Sequence, residues 1–142
     1  MNDYCFSDIR IGMKESFQRE ITSEMEDMFR QLSGDENPLH KQDDFATEIS
    51  DNKFKKHVSF GMLTASLYST MAGVYLPGKN SLIHSFDEIS FLKPVYAGDV
   101  LTVEGEVEDK SEGLNLIRIK VKITNQDKKT VSKAKMKVLV LK

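Results

Sequence analysis

Between Phe60 and Tyr75 the chain reads Phe-Gly-Met-Leu-Thr-Ala-Ser-Leu-Tyr-Ser-Thr-Met-Ala-Gly-Val-Tyr, without one charged side chain, in a protein that is 30% charged overall. A helix of this length with no charged face to give to water is buried on most of its circumference. Leu76-Pro77-Gly78 then stops it. Such a helix needs an enclosure, and the second half of the chain supplies one, because after Asn80 the hydrophobic period changes to two. Leu101, Val103 and Val107 alternate with Thr102, Glu104, Glu106 and Glu108. Ile117, Ile119, Val121 and Ile123 alternate with Arg118, Lys120 and Lys122, and Ala134, Met136, Val138 and Val140 with Lys133, Lys135 and Lys137. Ile83, Ile89 and Phe91 share one parity in an earlier strand, interrupted by Ser85 and Asp87. With turns at Pro94–Asp99, Glu112-Gly113 and Asn125–Asp127, this is an antiparallel meander with one apolar and one charged face. The predicted fold is α+β, an antiparallel sheet wrapped around a long central helix. No repeat or linker divides it, so residues 1–142 form one domain.

The first third is less regular. Phe6 to Phe17 reads as a lead-in loop with a short strand. Ser23 and Glu26 have capping-box spacing, and Met25, Met28, Phe29 and Leu32 form an apolar stripe on a helix ending near Ser33. Asp43 to Ile49 reads as a further helical turn. Between these helices lies Leu32-Ser-Gly-Asp-Glu-Asn-Pro-Leu-His40. Gly34 and Pro38 forbid helix continuation and constrain the backbone, so Asp35 and His40 share one short, restricted loop with Asn37 between them. A carboxylate and an imidazole held in this way are the ingredients of proton transfer. Spacing alone is weakly specific, and a solvated loop with Asp35 capping a turn fits it too.

Gly61 stands where the uncharged helix begins, its backbone N–H unpaired at the positive end of the helix dipole, so it could stabilise a developing oxyanion. A glycine there for close packing is the plainer alternative. Ser69 follows two turns later; a serine within a helix more often bonds its own backbone than a substrate.

A net charge of −2 offers no basic field for nucleic acid. The clusters Lys53, Lys55, Lys56 and Lys128, Lys129 read as solvated loops, although the first could meet a ligand phosphate. The single Cys5 fits a reducing compartment, no apolar run is long enough to span a bilayer, and Asp3 and Asp8 do not suit a signal peptide. A cytoplasmic protein without membrane association is expected.

Taken together, these stretches resemble the MaoC-like, (R)-specific enoyl-CoA hydratases of the hot-dog fold. Asp35-Glu-Asn-Pro-Leu-His40 is similar to that family's D-x-N-P-x-H loop, and Gly61-Met-Leu with Ala65-Ser-Leu-Tyr-Ser69 to its central helix. Leu76-Pro-Gly78 and Phe91-Leu-Lys-Pro-Val-Tyr-Ala-Gly-Asp99 match two later landmarks, in the right order. The resemblance implies hydration of an enoyl-CoA thioester, or in reverse dehydration of a 3-hydroxyacyl-CoA. Asp35 would take a proton from water, His40 would orient that water and relay a proton to the α-carbon, and Gly61 would face the thioester oxygen. Ser69 would lie near the pair and Asn37 would position the loop. No metal and no cofactor is implied beyond the CoA thioester as substrate, and a homodimer or higher homo-oligomer is.

One position departs from the resemblance. Many members carry His before the Gly-Met-Leu, where this chain has Phe60, with His57 three residues earlier. His57 and His84 read as ordinary loop and strand residues without ligand spacing. Two further readings stay open: a thioester on an acyl-carrier protein, with Lys53, Lys55, Lys56 and Lys93 as a basic rim, or a non-catalytic acyl-binding module. Candidate tunnel residues are Leu63, Leu67, Tyr68, Met71, Tyr75 and Phe86.

Overall fold

A computed structural model describes the whole chain, Met1–Lys142. Strand β1 (Lys14–Glu20) leads into helix α1 (Ser23–Ser33); a 3₁₀ turn (Pro38–His40) and helix α2 (Asp43–Ile49) precede the central helix α3 (Gly61–Thr70). A single π-helical turn, Met71–Tyr75, extends α3. Strands β2 (Ser81–Phe91), β3 (Val100–Ser111), β4 (Leu116–Thr124) and β5 (Thr130–Val140) complete the chain.

All pairings are antiparallel and the sheet order is β1-β3-β4-β5-β2. Only β3, β4 and β5 form the expected meander. The earlier strand β2 does not lie beside β3; it crosses to the opposite edge and pairs with β5, while β1 covers β3. Alternation behaves as read: Val103, Val107, Ile119, Ile123, Met136 and Val138 are fully buried against α3. Their neighbours face outward, where Lys120 and Lys122 form ion pairs with Glu106 and Glu104. Leu63, Leu67 and Tyr68 of α3, and Met71 of the π-helical turn, are buried in the same core. Tyr75 stacks flat on Phe17, ring centroids 4.7 Å apart.

In β2 the parity is broken by two bulges, between Ile83 and Ser85 and between Phe86 and Glu88. Each inserts one residue and reverses the phase. Ile83, Phe86, Ile89 and Phe91 therefore all sit opposite inward residues of β5 (Val138, Met136, Ala134 and Ser132). Because β2 is an edge, Phe86 and Phe91 stay part-exposed beside the one stripe of α3 that the sheet leaves uncovered: Met62, Ser66 and Ser69.

Helix α1 corrects two expectations. Its N-cap is Thr22, not Ser23, with Thr22 Oγ1 accepting from the Met25 N–H at 3.2 Å. Only half of its apolar stripe is buried: Met25 and Phe29 pack against the core, but Met28 and Leu32 are 62% and 85% exposed, whereas Glu26 and Arg30 are 2% and 8% exposed. The reason lies in distant partners, described below.

Candidate active site

Helix α1 ends as the glycine predicts. Gly34 is left-handed (φ 73°) and its N–H closes on the Arg30 carbonyl at 2.8 Å. The loop that follows is fixed by its own side chains. Asp35 Oδ1 accepts the Asn37 N–H at 3.0 Å, and Asn37 Oδ1 accepts the Leu39 N–H at 3.0 Å, capping the short helical turn that ends on His40. Asn37 thus shapes the loop.

His40 is held more firmly. Its ring nitrogen Nδ1 lies 2.7 Å from the Val58 carbonyl oxygen. A carbonyl only accepts, so Nδ1 carries the proton and Nε2 of the neutral ring is left with a free lone pair. The Val58 N–H donates back to the Leu39 carbonyl at 3.0 Å, and Arg30 Nη2 donates to the His40 carbonyl at 3.1 Å. The Phe60 ring packs on the imidazole, centroids 4.3 Å apart, with the Arg30 guanidinium 5.6 Å from the centroid of that Phe60 ring.

Gly61 is the first residue of α3, and its N-cap, Phe60, offers no side-chain acceptor. Its N–H is therefore unpaired within the helix. Asp35, His40 and Gly61 line one cavity of about 270 Å³, with Phe29, Ser33, Phe60, Met62 and Phe91 as its other walls. Proton acceptors, a backbone donor and aromatic walls meet at one place. A larger hollow of about 770 Å³ lies on the charged outer face, among Lys14, Glu104, Glu106, Lys120 and Lys122. There Lys14 and Lys120 pair with Glu106, and Lys122 with Glu104.

Ser69 is not among the cavity residues. Eight residues beyond Gly61, it is about 12 Å further along the axis, exposed with Met62 and Ser66. Of the basic rim, Lys56 is already engaged, donating to the Ala97 carbonyl at 3.2 Å and lying over the Tyr96 ring.

Sequence reasoning missed His57, which is not an ordinary loop residue. Nδ1 lies 2.6 Å from Asp43 Oδ1 and Nε2 lies 3.1 Å from Glu26 Oε1; its backbone N–H also donates to Asp43. Only the doubly protonated ring can donate to both carboxylates. Burial disfavours that cation, but the bonds and charges of Asp43 and Glu26 outweigh it, so His57 titrates above its ordinary value. Local sequence carries no sign of this, since Glu26 lies 31 residues away. His84 fits the ordinary reading, bonding only its neighbour Ser85.

The model of the MaoC-like domain matches residues 8–134. This chain belongs to the MaoC-like family. Its relatives include an (R)-specific enoyl-CoA hydratase of Aeromonas caviae, 34% identical over 118 residues, or 83% of this chain and 85% of the relative. A 3-hydroxybutyryl-CoA dehydratase of Methylorubrum extorquens is 33% identical over 104 residues, covering 73% of this MaoC-like chain but only 64% of that longer protein. Among solved structures, an (R)-hydratase of Pseudomonas aeruginosa superposes with a TM-score of 0.86 at 28% identity, over 96% of this chain and 84% of that one. The A. caviae hydratase structure gives 0.85 at 30% identity, over 93% and 97%. The hot-dog architecture expected for a MaoC-like chain is thereby shown. No helix is long and apolar enough to cross a membrane.

Proposed function

We propose that this MaoC-like protein hydrates enoyl-CoA thioesters to (R)-3-hydroxyacyl-CoA and catalyses the reverse dehydration. The observation that carries the reading is the shared cavity of Asp35, His40 and Gly61. Water held between the Asp35 carboxylate and the His40 Nε2 lone pair faces the β-carbon. Asp35 takes one proton as the water oxygen bonds to that carbon. The electron pair of the double bond moves towards the thioester carbonyl, where the Gly61 N–H at the helix N-terminus meets the charge. The proton held by the pair is delivered to the α-carbon, so that the net change is addition of water. The chain's own residues supply each role, and the reaction as written calls for no cofactor.

The edge strand β2 supports a homodimer. Phe86 and Phe91 on β2, and Met62 on α3, are 37%, 50% and 60% exposed, an apolar margin beside an unpaired sheet edge that a second copy would cover. Ser69 lies on that margin, so its contact with substrate would be made in the paired protein. A cytoplasmic location accords with the single free Cys5.

The decisive experiment offers crotonyl-CoA, longer enoyl-CoAs and enoyl thioesters of an acyl-carrier protein, following loss of the conjugated absorbance and the chirality of the product. Turnover to the (R)-alcohol is expected. Turnover of carrier-bound substrates alone would move the reading to carrier protein, with Lys53, Lys55 and Lys93 as its contacts. Binding without turnover anywhere on the panel would leave a non-catalytic acyl-binding module.

A further inference from the structure

Helix α1 buries two of its charged side chains while leaving two of its hydrophobes in water. Glu26 and Arg30, one turn apart, face inward, with side chains only 3% and 10% exposed, while Met28 and Leu32 stand in water. Buried ion pairs seldom add net stability over apolar packing, so the arrangement calls for an account in terms of what it holds. Both residues reach His40 by short routes. Arg30 donates to the His40 carbonyl and backs Phe60, the ring against which the imidazole rests. Glu26 binds His57, the residue immediately before Val58, whose carbonyl sets the His40 tautomer. Asp43 of α2 grips the same His57 at ring and backbone. Ser59, next along, donates its N–H to the Val95 carbonyl at 2.7 Å, fixing the segment from its other side.

We infer that Glu26, Arg30 and His57 are positioning residues for the proposed catalytic His40: Arg30 fixes its main chain, and the Glu26–His57–Asp43 clasp fixes the Val58 carbonyl that keeps the proton on Nδ1 and the lone pair on Nε2. The inference deepens the hydratase reading and rests on it. It also accounts for Phe60 in the position where the resemblance leads one to look for His: its ring lies 5.6 Å from the Arg30 guanidinium and 4.3 Å from the imidazole centroid, and so links the two. None of the three touches substrate; they act through His40.

The test is made on the full-length protein with Arg30→Met, which keeps length and apolar bulk but removes the donors, Arg30→Lys, which restores a charged donor, and His57→Gln. In ¹⁵N-histidine NMR the wild-type His40 ring is expected as a single Nδ1–H form, and in Arg30→Met and His57→Gln as a mixture of tautomers. On crotonyl-CoA, kcat should fall roughly 10- to 100-fold, the scale of a displacement of an ångström or less, with KM changed less than about twofold and Arg30→Lys recovering part of the loss. Folded variants that lose thermal stability yet keep kcat and the wild-type His40 signal would overturn the inference. Should Arg30→Met fail to fold, His57→Gln and Arg30→Lys decide it by the same two readouts. The ring signal is read without turnover, so an inactive wild-type protein with a single His40 tautomer would sink the hydratase reading and leave the positioning network standing.

Discussion

A β-carbon placed on Gly61 would stand 3.3 Å from the ring of Phe91. The first residue of the central helix and the last residue of an edge strand thus close on each other across the mouth of the cavity. This explains why glycine suits the position although its φ is ordinary: the unpaired N–H stays approachable only while nothing projects from that carbon.

Gly61→Ala should therefore lower kcat/KM by about tenfold or more, through obstruction near the donor. Stability should change by no more than about 1 kcal/mol, since the half-exposed Phe91 ring can give way. Adding Phe91→Leu should return part of the activity. Steady-state kinetics beside thermal melts separates the two effects; a large fall in melting temperature with normal activity would contradict this account.

Asp35→Asn and His40→Ala should each reduce hydration of crotonyl-CoA by at least ~10²-fold, the ordinary scale of a general acid–base group. The fold should survive in both, because Asp35 is exposed and His40 half-buried. Initial rates with circular dichroism as control check this, and a variant retaining wild-type rates would remove that residue from the mechanism.

Stability should depend on pH through His57. Its pKa is raised in the folded protein by Asp43 and Glu26 against the penalty of burial. A raised pKa stabilises the fold fully below the unfolded value of about 6.5 and loses that contribution as pH climbs through the folded value. Asp43 is held below the usual carboxylate range by His57, so its share is present above about 4 and lost on acidification. Urea midpoints should fall on the alkaline side in the wild type and stay flat there in His57→Gln. His57→Ala should cost about 3 kcal/mol at neutral pH, because it strands the Glu26 carboxylate, one of whose oxygens already lacks a partner.

Met28→Gln and Leu32→Gln should each change stability by less than about 0.5 kcal/mol, as substitutions on an exposed face do. Arg30→Ala should cost about 2 kcal/mol, leaving the His40 carbonyl unpaired and Phe60 uncapped. Chemical denaturation of the three variants reads this directly, and the reverse ranking would mean that Met28 and Leu32 are buried after all.

The Asp35–His40 loop and the uncharged stretch from Phe60 were legible because their signals are local. Glycine and proline restrict the backbone where they stand, and a helix without charge has to be buried whatever encloses it. The same holds for β3, β4 and β5, where alternation of Val and Ile with Lys and Glu dictates which face meets the core. What tertiary structure decided were matters of partnership at long range. Glu26 and Arg30 turn inward because His57, 31 residues from Glu26, and the His40 carbonyl wait there, which no helical periodicity encodes. Phe86 joins Ile83, Ile89 and Phe91 on the inward face because one bulge reverses the phase of β2 before it and a second restores it after, and Ser69 stays outside the cavity because it lies about 12 Å further along α3 than Gly61. Hydrophobic pattern sets burial through nearest neighbours, whereas a hydrogen bond or an ion pair can be read only once both ends have been brought together.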